Sequence, residues 1–373
     1  MPAEWEPHES TWLAWPHFRD DWPGKFEPIP WVYAEIVRNL ARHERVDLIV
    51  NDASCERRAH SVLEKAGALS GTLADNVRFH RWQTDRVWTR DSGCIFLTPP
   101  AGRHYDQDHD HADHGLLALH FQFNAWAKYP NYSLDETNGE RMAKAADARV
   151  VQPFSKKHRV VLEGGSIDVN GSGTLLTTEE CLLSTSQQRN PPMDRAAYER
   201  LFADYFGVQS VIWLDSGIAG DDTHGHVDDI TRFVAPNTVV TMVEQNERSE
   251  NYAALHANLG RLKNARTDGQ KLEIVEIPMP RPVVFEGRQL PASYANFYIA
   301  NGAVLVPVFN DPNDRVALHL LAKLFPTREI VPIYSGDLIW GFGALHCMTQ
   351  QQPANTQRPP RPAVPRGGPP LGI

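Results

Sequence analysis

The sequence predicts an α/β protein made of repeated strand–helix–strand units, and two observations support this. Apolar runs rich in β-branched residues alternate with stretches whose apolar residues recur at the helical period. The same succession returns five times, at intervals of roughly 50–60 residues. Such regular repetition favours a closed ring of repeats, although an open doubly wound sheet produces the same alternation.

Each repeat consists of a predicted strand, a predicted helix and a second predicted strand. Asn313–Asp314 is predicted to open the last helix, and Gly207 to cap the helix that precedes it in the third repeat. The assigned ranges are 47–50, 55–68 and 77–82; a longer repeat over 95–162 with its helix at 140–148; 174–184, 193–206 and 208–214; 238–243, 250–263 and 272–277; and 303–309, 314–325 and 329–334.

Two stretches do not fit the repeats. Residues 104–114 are rich in His and Asp and are interpreted as an inserted loop. Residues 353–373 are rich in Pro, with few apolar residues, and are predicted to be a disordered tail. We therefore predict one catalytic domain over residues 1–352, followed by this tail.

Length and charge limit the class of protein. Of 373 residues, 37 are Lys or Arg and 46 are Asp or Glu, which gives a formal net charge of −9 and argues against a nucleic-acid partner. No apolar run is long enough to span a membrane, and no signal peptide is visible.

The scattered cysteines predict a reducing cytoplasm. A homo-oligomer is compatible with the sequence. The cysteines are Cys55, Cys94, Cys181 and Cys347.

Polar or reactive side chains follow the strands that close the repeats, usually beside glycine. In a ring of repeats these points would converge near the axis, where glycine permits close backbone approach. We assign one of these residues, Asn296, to substrate binding. The residues are Trp88, Arg90 and Asp91; Glu163; His224, His226 and Asp228; Asn296; and His346 and Cys347.

Two groups allow more than one interpretation. A lone cysteine such as Cys347 is more often part of the core than a nucleophile, but its Gly-rich loop and the polar residues after it are atypical of a core. His224, His226 and Asp228, taken as alternate residues of a strand, share one face and would suit a metal ion. The same strand would also present one histidine and one aspartate for catalysis.

Six long stretches of the sequence match the motifs of a known family. They are MPAEWEPHESTWLAWP at 1–16, VWTRDSG at 87–93, VVLEGGSIDVNGSGTLLTTEECLL at 160–183, GDDTHGHVDDITRF at 220–233, LPASYANFYIANGAVLVPVFNDPND at 290–314 and GFGALHCMTQQQP at 341–353. With these stretches the chain resembles the agmatine deiminases, part of the guanidino-group-modifying superfamily that includes peptidylarginine and arginine deiminases.

The resemblance implies a fold and a catalytic set. The fold is the pentein, a five-bladed α/β propeller with pseudo-fivefold repeats. Cys347 matches the nucleophile, His226 matches the catalytic histidine, and Glu163 matches the acid that orients it. The implied reaction is hydrolysis of a guanidinium group through a covalent amidino-cysteine, with release of ammonia. Thiolate is the nucleophile that this chemistry requires.

The resemblance also implies how the substrate is held. Asp91 and Asp228 match the carboxylates that bind the guanidinium group, which suits bidentate pairing. Trp88 matches a tryptophan of the pocket, and Asp222 matches an acid near the substrate. The implied partner is a small cationic guanidino substrate, agmatine, which would give N-carbamoylputrescine for putrescine (polyamine) synthesis. No metal and no organic cofactor are implied.

Three other functions stay open at this point. The first is a deiminase for peptidylarginine or free arginine on the same fold. The second is a metal-dependent ureohydrolase that uses His224, His226 and Asp228, or the loop at 104–114, to activate water. The third is a non-catalytic binding protein, which the joint presence of the five implied catalytic residues disfavours.

Overall fold

The computed structural model describes residues 1–98, 115–191 and 193–355. The predicted His/Asp-rich insertion at 104–114 lies outside these residues, as does the predicted tail from residue 356 onward. None of the helices in the described part of the chain is long and apolar enough to cross a membrane.

The described chain alternates strands and helices over most of its length. The α-helices are α1 (Ile29–Leu40), α2 (Ala53–Lys65), α3 (Thr89–Ser92), α4 (Asn138–Ala145), α5 (Glu179–Leu183), α6 (Arg195–Phe206), α7 (Tyr252–Asn264) and α8 (Pro312–Leu324). The strands are β1 (His8–Ala14), β2 (Arg45–Val50), β3 (Val77–Arg81), β4 (Ile95–Leu97), β5 (Leu117–Leu119), β6 (Arg149–Val151), β7 (Phe154–Ser155), β8 (His158–Arg159), β9 (Asp168–Val169), β10 (Thr174–Thr178), β11 (Ser210–Leu214), β12 (Thr231–Ala235), β13 (Thr238–Val243), β14 (Arg266–Thr267), β15 (Gln270–Lys271), β16 (Glu273–Pro278), β17 (Val284–Phe285), β18 (Arg288–Gln289), β19 (Tyr298–Ile299), β20 (Ala303–Val308), β21 (Glu329–Tyr334) and β22 (Gln350–Pro353).

Sixteen of the strands in the described chain form five separate sheets with a common pairing pattern. Four sheets have three strands, in the orders β4-β5-β6, β9-β10-β11, β12-β13-β16 and β19-β20-β21. In each of them the first strand is antiparallel to the second, and the second is parallel to the third. A parallel pair needs a long crossover, which the helices between these strands supply. The predicted strand–helix–strand repetition is therefore confirmed.

The remaining sheet joins the two ends of the described chain. Its order is β22-β1-β2-β3, with β22 antiparallel to β1 and the other neighbours parallel. Helices α1 and α2 make its two crossovers. Pro353 ends β22, so the residue at which the predicted tail begins belongs to this sheet.

Side-chain caps explain where several helices begin and end. The Asp52 carboxylate accepts the Cys55 amide at 2.7 Å and starts α2. Gly207 ends α6 in the left-handed conformation, with φ 71°, as predicted. Helix α8 begins earlier than predicted, because Asp311 and Asp314 form a capping box and Pro312 fits the first turn.

Two predicted strands differ in the structure. The strand predicted at 174–184 ends at Thr178, whose hydroxyl accepts the Cys181 amide at 3.1 Å and starts α5. The apolar run at 160–162, which was to close the second repeat, contributes only a single bridge between Val161 and Gln122. The parallel strand of that sheet is β6 instead, directly after α4.

Candidate active site

The connections between consecutive sheets contain all of the predicted site residues. Each connection follows the last strand of one sheet or hairpin and leads to the first strand of the next. In chain order, β3 is followed by Trp88 and Asp91, β8 by Glu163, β11 by Asp222, His226 and Asp228, β18 by Asn296, and β21 by Cys347.

One cavity of about 640 Å³ brings four of these residues to a common wall: Trp88, Asp91, Asp222 and Cys347. Much of the remaining wall is aromatic, formed by Phe18, Trp126, Tyr129, Trp340 and Phe342. Gly343 packs closely against both Trp88 and Cys347, since a Cβ there would lie 2.6 Å from the indole and 3.1 Å from the Cys347 Cβ. His226, Glu163, Asp228 and Asn296 are fully buried behind this wall.

The His226 imidazole lies among three carboxylates. Nδ1 is 3.9 Å from Asp91 Oδ2 and 4.0 Å from Asp228 Oδ1, and Nε2 is 3.8 Å from Glu163 Oε2. These distances exceed hydrogen-bond length, and within the described chain both ring nitrogens, Glu163 Oε2 and Asp228 Oδ1 lack partners. Burial lowers the pKa of His226, but Asp91, Cys181 and Glu163 outweigh it and hold that pKa well above its usual value. The ring is therefore placed to carry a proton.

Asp91 is held by two donors. Its Oδ2 accepts the Trp126 indole N–H at 2.9 Å, and its Oδ1 accepts the Gly165 amide at 3.0 Å. Burial, reinforced by the charges of Asp228 and Glu163, raises the pKa of Asp91 to about 6. A cation placed beside this carboxylate would favour its ionised form.

Asp228 is held by a histidine to which the sequence analysis gave no role. His346 Nδ1 lies 2.7 Å from Asp228 Oδ2, and its Nε2 lies 2.8 Å from Glu4 Oε2. Glu4 also pairs with Arg232 at 3.0 Å and with Arg90 at 3.4 Å. Burial raises the pKa of Asp228, but the hydrogen bond from His346 outweighs it and lowers that pKa. Glu4 and His346 both lie within the matched stretches, which is the signal that could have identified them.

The Cys347 thiol has Asn296 as its closest polar partner. Asn296 Nδ2 lies 3.0 Å from Sγ and 2.9 Å from Asp229 Oδ1, and its Oδ1 accepts the His346 amide at 2.9 Å. Asn296 therefore contacts the thiol and is not one of the residues that line the cavity. The expectation that Cys347 lies outside the core was wrong, because the residue is only 5% exposed and belongs to the largest apolar cluster. Burial and the acids Asp228, Asp229 and Asp91 raise the pKa of the thiol well above its usual value.

Glu163 is anchored by an arginine. Arg189 Nε donates to Glu163 Oε1 at 3.0 Å, and both side chains are fully buried. Burial raises the pKa of Glu163, but the Arg189 guanidinium and the neighbouring His226 outweigh it and lower that pKa to about 2. Glu163 therefore remains a carboxylate that faces His226.

Two groups of side chains in the described chain have the composition of a metal site. They are Glu163, Cys181 and His226, and Asp228, Asp229 and Cys347, each with ligand atoms within 4.8 Å. The interpretation of 224–228 as a strand was wrong. His224 has φ 64°, and its ring lies 3.1 Å from Ser184 Oγ and 3.7 Å from Glu180 Oε1. Its side chain is therefore in neither group.

Asp222 lies on the cavity wall, where it has three partners that the sequence did not reveal. The Tyr129 hydroxyl donates to Oδ2 at 2.5 Å, Lys128 donates to Oδ1, and Arg288 Nη2 donates to Oδ1 at 3.3 Å. The segment that supplies Lys128 and Tyr129 also supplies Trp126, the donor to Asp91.

The fold and the site together define an α/β protein in which a thiol, an imidazole and carboxylates meet at the base of one cavity. The model of the Porphyromonas-type peptidyl-arginine deiminase family matches residues 1–353. The chain belongs to this family, which confirms the resemblance.

Relatives of known name match over nearly the whole chain. The agmatine deiminase of Pseudomonas aeruginosa is 34% identical over 95% of both chains. The agmatine deiminase of Medicago truncatula is 35% identical over 95% of this chain and 96% of its own. Among solved structures, an agmatine deiminase of Enterococcus faecalis superimposes with a TM-score of 0.83, at 27% identity and over 95% of this chain and 96% of that one.

Proposed function

We propose that the protein hydrolyses the guanidinium group of agmatine to N-carbamoylputrescine and ammonia, with Cys347 as the nucleophile. One observation carries the proposal: the Cys347 thiol and the Asp91 carboxylate share the base of one cavity, directly in front of the buried His226. The names of the full-length relatives point to the same substrate. No metal or organic cofactor takes part in the proposed reaction.

Asp91 and Asp228 bind the guanidinium group in this proposal. Asp228 Oδ1 is unpartnered in the described chain, while its Oδ2 is fixed by His346 and lies 3.6 Å from the Cys347 sulfur. A planar cation between the two carboxylates would therefore have its carbon beside Sγ. Its charge also offsets the acids that raise the pKa of the thiol, so binding promotes loss of the thiol proton.

The first chemical step joins sulfur to carbon. The Cys347 thiolate attacks the guanidinium carbon, and the positive charge of that carbon centre is cancelled as the C–S bond forms. His226, held as imidazolium by Asp91 and Glu163, gives its proton to one amino group. The C–N bond then breaks, ammonia leaves, and a cationic amidino-cysteine remains.

The second step returns the enzyme to its starting state. Neutral His226 takes a proton from water, and the resulting hydroxide adds to the amidino carbon. The C–S bond breaks, the proton of the added hydroxyl group passes to the departing Cys347 sulfur and restores the thiol, and the neutral ureido product departs. Glu163 orients the imidazole in both steps and stabilises its charged form, because Arg189 keeps Glu163 ionised.

The propeller architecture, the single catalytic domain and the location in the cell are also part of the proposal. We infer that the five sheets are the blades of a five-bladed propeller, with the site residues of the connections near its axis. This inference is supported by the common pairing pattern of the sheets and by the way β22 joins β1. We also infer that residues 1–352 act as a single catalytic domain in the cytoplasm.

Replacement of Cys347 tests the chemistry. Cys347→Ala should abolish ammonia release from agmatine, whereas Cys55→Ala, at another buried cysteine, should retain it. Mass spectrometry of wild-type enzyme quenched during turnover should find an amidino adduct on Cys347 alone. Ammonia release by the Cys347→Ala variant would overturn the proposal. Urea as product and inhibition by chelator would indicate a metal-dependent ureohydrolase instead.

A deiminase for arginine or peptidylarginine is the second candidate. The observation that favours it is the pair of cations, Lys128 and Arg288, next to the substrate cavity. Initial rates on agmatine, free arginine and an N- and C-terminally blocked arginine peptide separate the candidates. Equal rates on all three would contradict a preference for agmatine.

A further inference from the structure

Asp222 lies where the wall of the substrate cavity and a cluster of charged side chains meet. It is only 6% exposed, and the cavity it lines contains Asp91 and Cys347. A substrate whose guanidinium group lies at Asp91 would extend its other end along this cavity. A buried carboxylate here is an attractive partner for a cation at the end of that tail.

The Asp222 carboxylate is already paired with a cation of the protein itself. Lys128 Nζ donates to Asp222 Oδ1, and no other hydrogen bond or ion pair of this ammonium group is found in the described chain. The ammonium also lies 5.5 Å from the centroid of the Tyr129 ring. Lys128 carries a primary ammonium, which is the same chemical group that ends an aminoalkylguanidine. An incoming ammonium and Lys128 would therefore compete for one carboxylate oxygen.

The other partners of Asp222 are held more firmly in place. The Arg288 guanidinium stacks on Phe342, 4.0 Å from the ring centroid, and its contact with Asp222 is longer, at 3.3 Å. The Tyr129 hydroxyl donates to the opposite oxygen, Oδ2, and leaves Oδ1 to the cations. Lys128 can withdraw from Asp222, because its side chain is 36% exposed and its head can return to water. The Arg288 side chain is also exposed, at 48%, but its stacking on Phe342 holds it near the carboxylate.

The position of Lys128 is fixed by an unusual turn. Ala125, Trp126 and Ala127 all have positive φ, of 49°, 58° and 53°, which is uncommon for residues with a Cβ. Asn124 Oδ1 accepts the Ala127 amide at 2.9 Å and helps to hold this turn. The turn directs the Trp126 indole to Asp91 and, two residues later, Lys128 to Asp222. A single strained segment thus contacts the acids at both ends of the substrate site.

We propose that Lys128 is a specificity-determining residue whose ammonium competes with the cationic tail of the substrate for Asp222. The inference rests on the proposed function for its choice of substrate. Agmatine must displace Lys128 from Asp222, and this displacement weakens its binding. A guanidino substrate with a neutral tail leaves the ion pair in place and avoids that cost. The enzyme therefore discriminates between the two tails less than a site with an unpaired Asp222 would.

Kinetics on two matched substrates test this role. Agmatine is compared with 4-hydroxybutylguanidine, which has the same length and a neutral end. Lys128→Met should lower the KM for agmatine about tenfold relative to the KM for the hydroxyl compound, while Lys128→Arg should keep the wild-type ratio. The matched control is Lys144→Met, which removes a positive charge from the exposed face of α4 and should not alter the ratio. A Lys128→Met ratio within twofold of wild type would overturn the inference.

A binding measurement separates this inference from the proposed function. Calorimetry in the Cys347→Ala background measures the affinity for both ligands without turnover. Tighter binding of agmatine after Lys128→Met, by about tenfold, supports the competition even if no ammonia is ever released. Unchanged affinity overturns it, even if wild-type enzyme deiminates agmatine. An equal gain for both ligands also overturns it, because that result indicates a general change in the cavity.

Discussion

Asp91→Asn should make the ligand-free protein more stable while it removes a carboxylate of the site. Burial raises the pKa of Asp91 from its ordinary value of 3.8 to about 6. At about 1.4 kcal/mol for each tenfold change in proton affinity, keeping Asp91 ionised above pH 6 costs the folded protein about 3 kcal/mol. The asparagine side chain is never charged, so the variant escapes this cost.

Part of this gain in stability is offset by the loss of a hydrogen bond. The Trp126 indole and the Gly165 amide both donate to Asp91, and an asparagine can accept from only one of them, since its other atom is itself a donor. That mismatch costs about 1–2 kcal/mol. The expected net increase in the free energy of unfolding at pH 8 is about 1–2 kcal/mol, and kcat/KM for agmatine should fall by at least about a hundredfold.

The distinguishing result is how the stability difference between Asp91→Asn and the wild type changes with pH. The folded state takes up the Asp91 proton near pH 6 and the unfolded state near 3.8, so the cost is complete above pH 6 and disappears as the pH falls below about 4. Urea denaturation at pH 8 and pH 5 should therefore show a smaller advantage for the variant at pH 5. Asp75→Asn, at an exposed site, should change stability by less than about 0.5 kcal/mol at either pH. A less stable variant at pH 8, or an advantage independent of pH, would refute the reasoning.

The other predictions concern packing and the thiol. Gly165→Ala places a Cβ 2.5 Å from Nδ1 of His226 and 3.0 Å from Asp228 Oδ2 and should lower kcat/KM at least about tenfold; Gly260→Ala, where nothing lies within 4 Å, should keep the wild-type kcat/KM. Glu4→Gln removes a buried charge shared by two arginines and should lower the free energy of unfolding by about 3 kcal/mol in urea denaturation; an unchanged midpoint would show that this network does not stabilise the fold. Alkylation of Cys347 by iodoacetamide, followed by mass spectrometry, should accelerate about tenfold per pH unit up to pH 9, because the pKa of the thiol is well above its usual value; a plateau near pH 7 would contradict this.

The chemically distinctive residues could be predicted from the sequence because each lies in a local pattern. Cys347, His226 and Asp91 lie in glycine-containing connections that follow strand–helix–strand units, and those units depend on short-range periodicity. The strand predicted at 174–184 failed for a local reason, since Thr178 caps a short helix that has the same apolar residues a strand would have. A helix cap depends on a single hydroxyl group, whereas the apolar periodicity used to predict strands and helices is averaged over many residues.

The sequence by itself determined the α/β repeats, the position of the candidate site residues between them, and the family. The tertiary structure decided which partners those residues have. Glu4 is more than 340 residues away from His346 in the chain, yet the two side chains are 2.8 Å apart. Lys128 meets Asp222 in the same way, across 94 residues. Hydrogen bonds and ion pairs act over a few ångströms, so these pairings, the pKa shifts they produce and the occupation of Asp222 by Lys128 exist only once the sheets have packed.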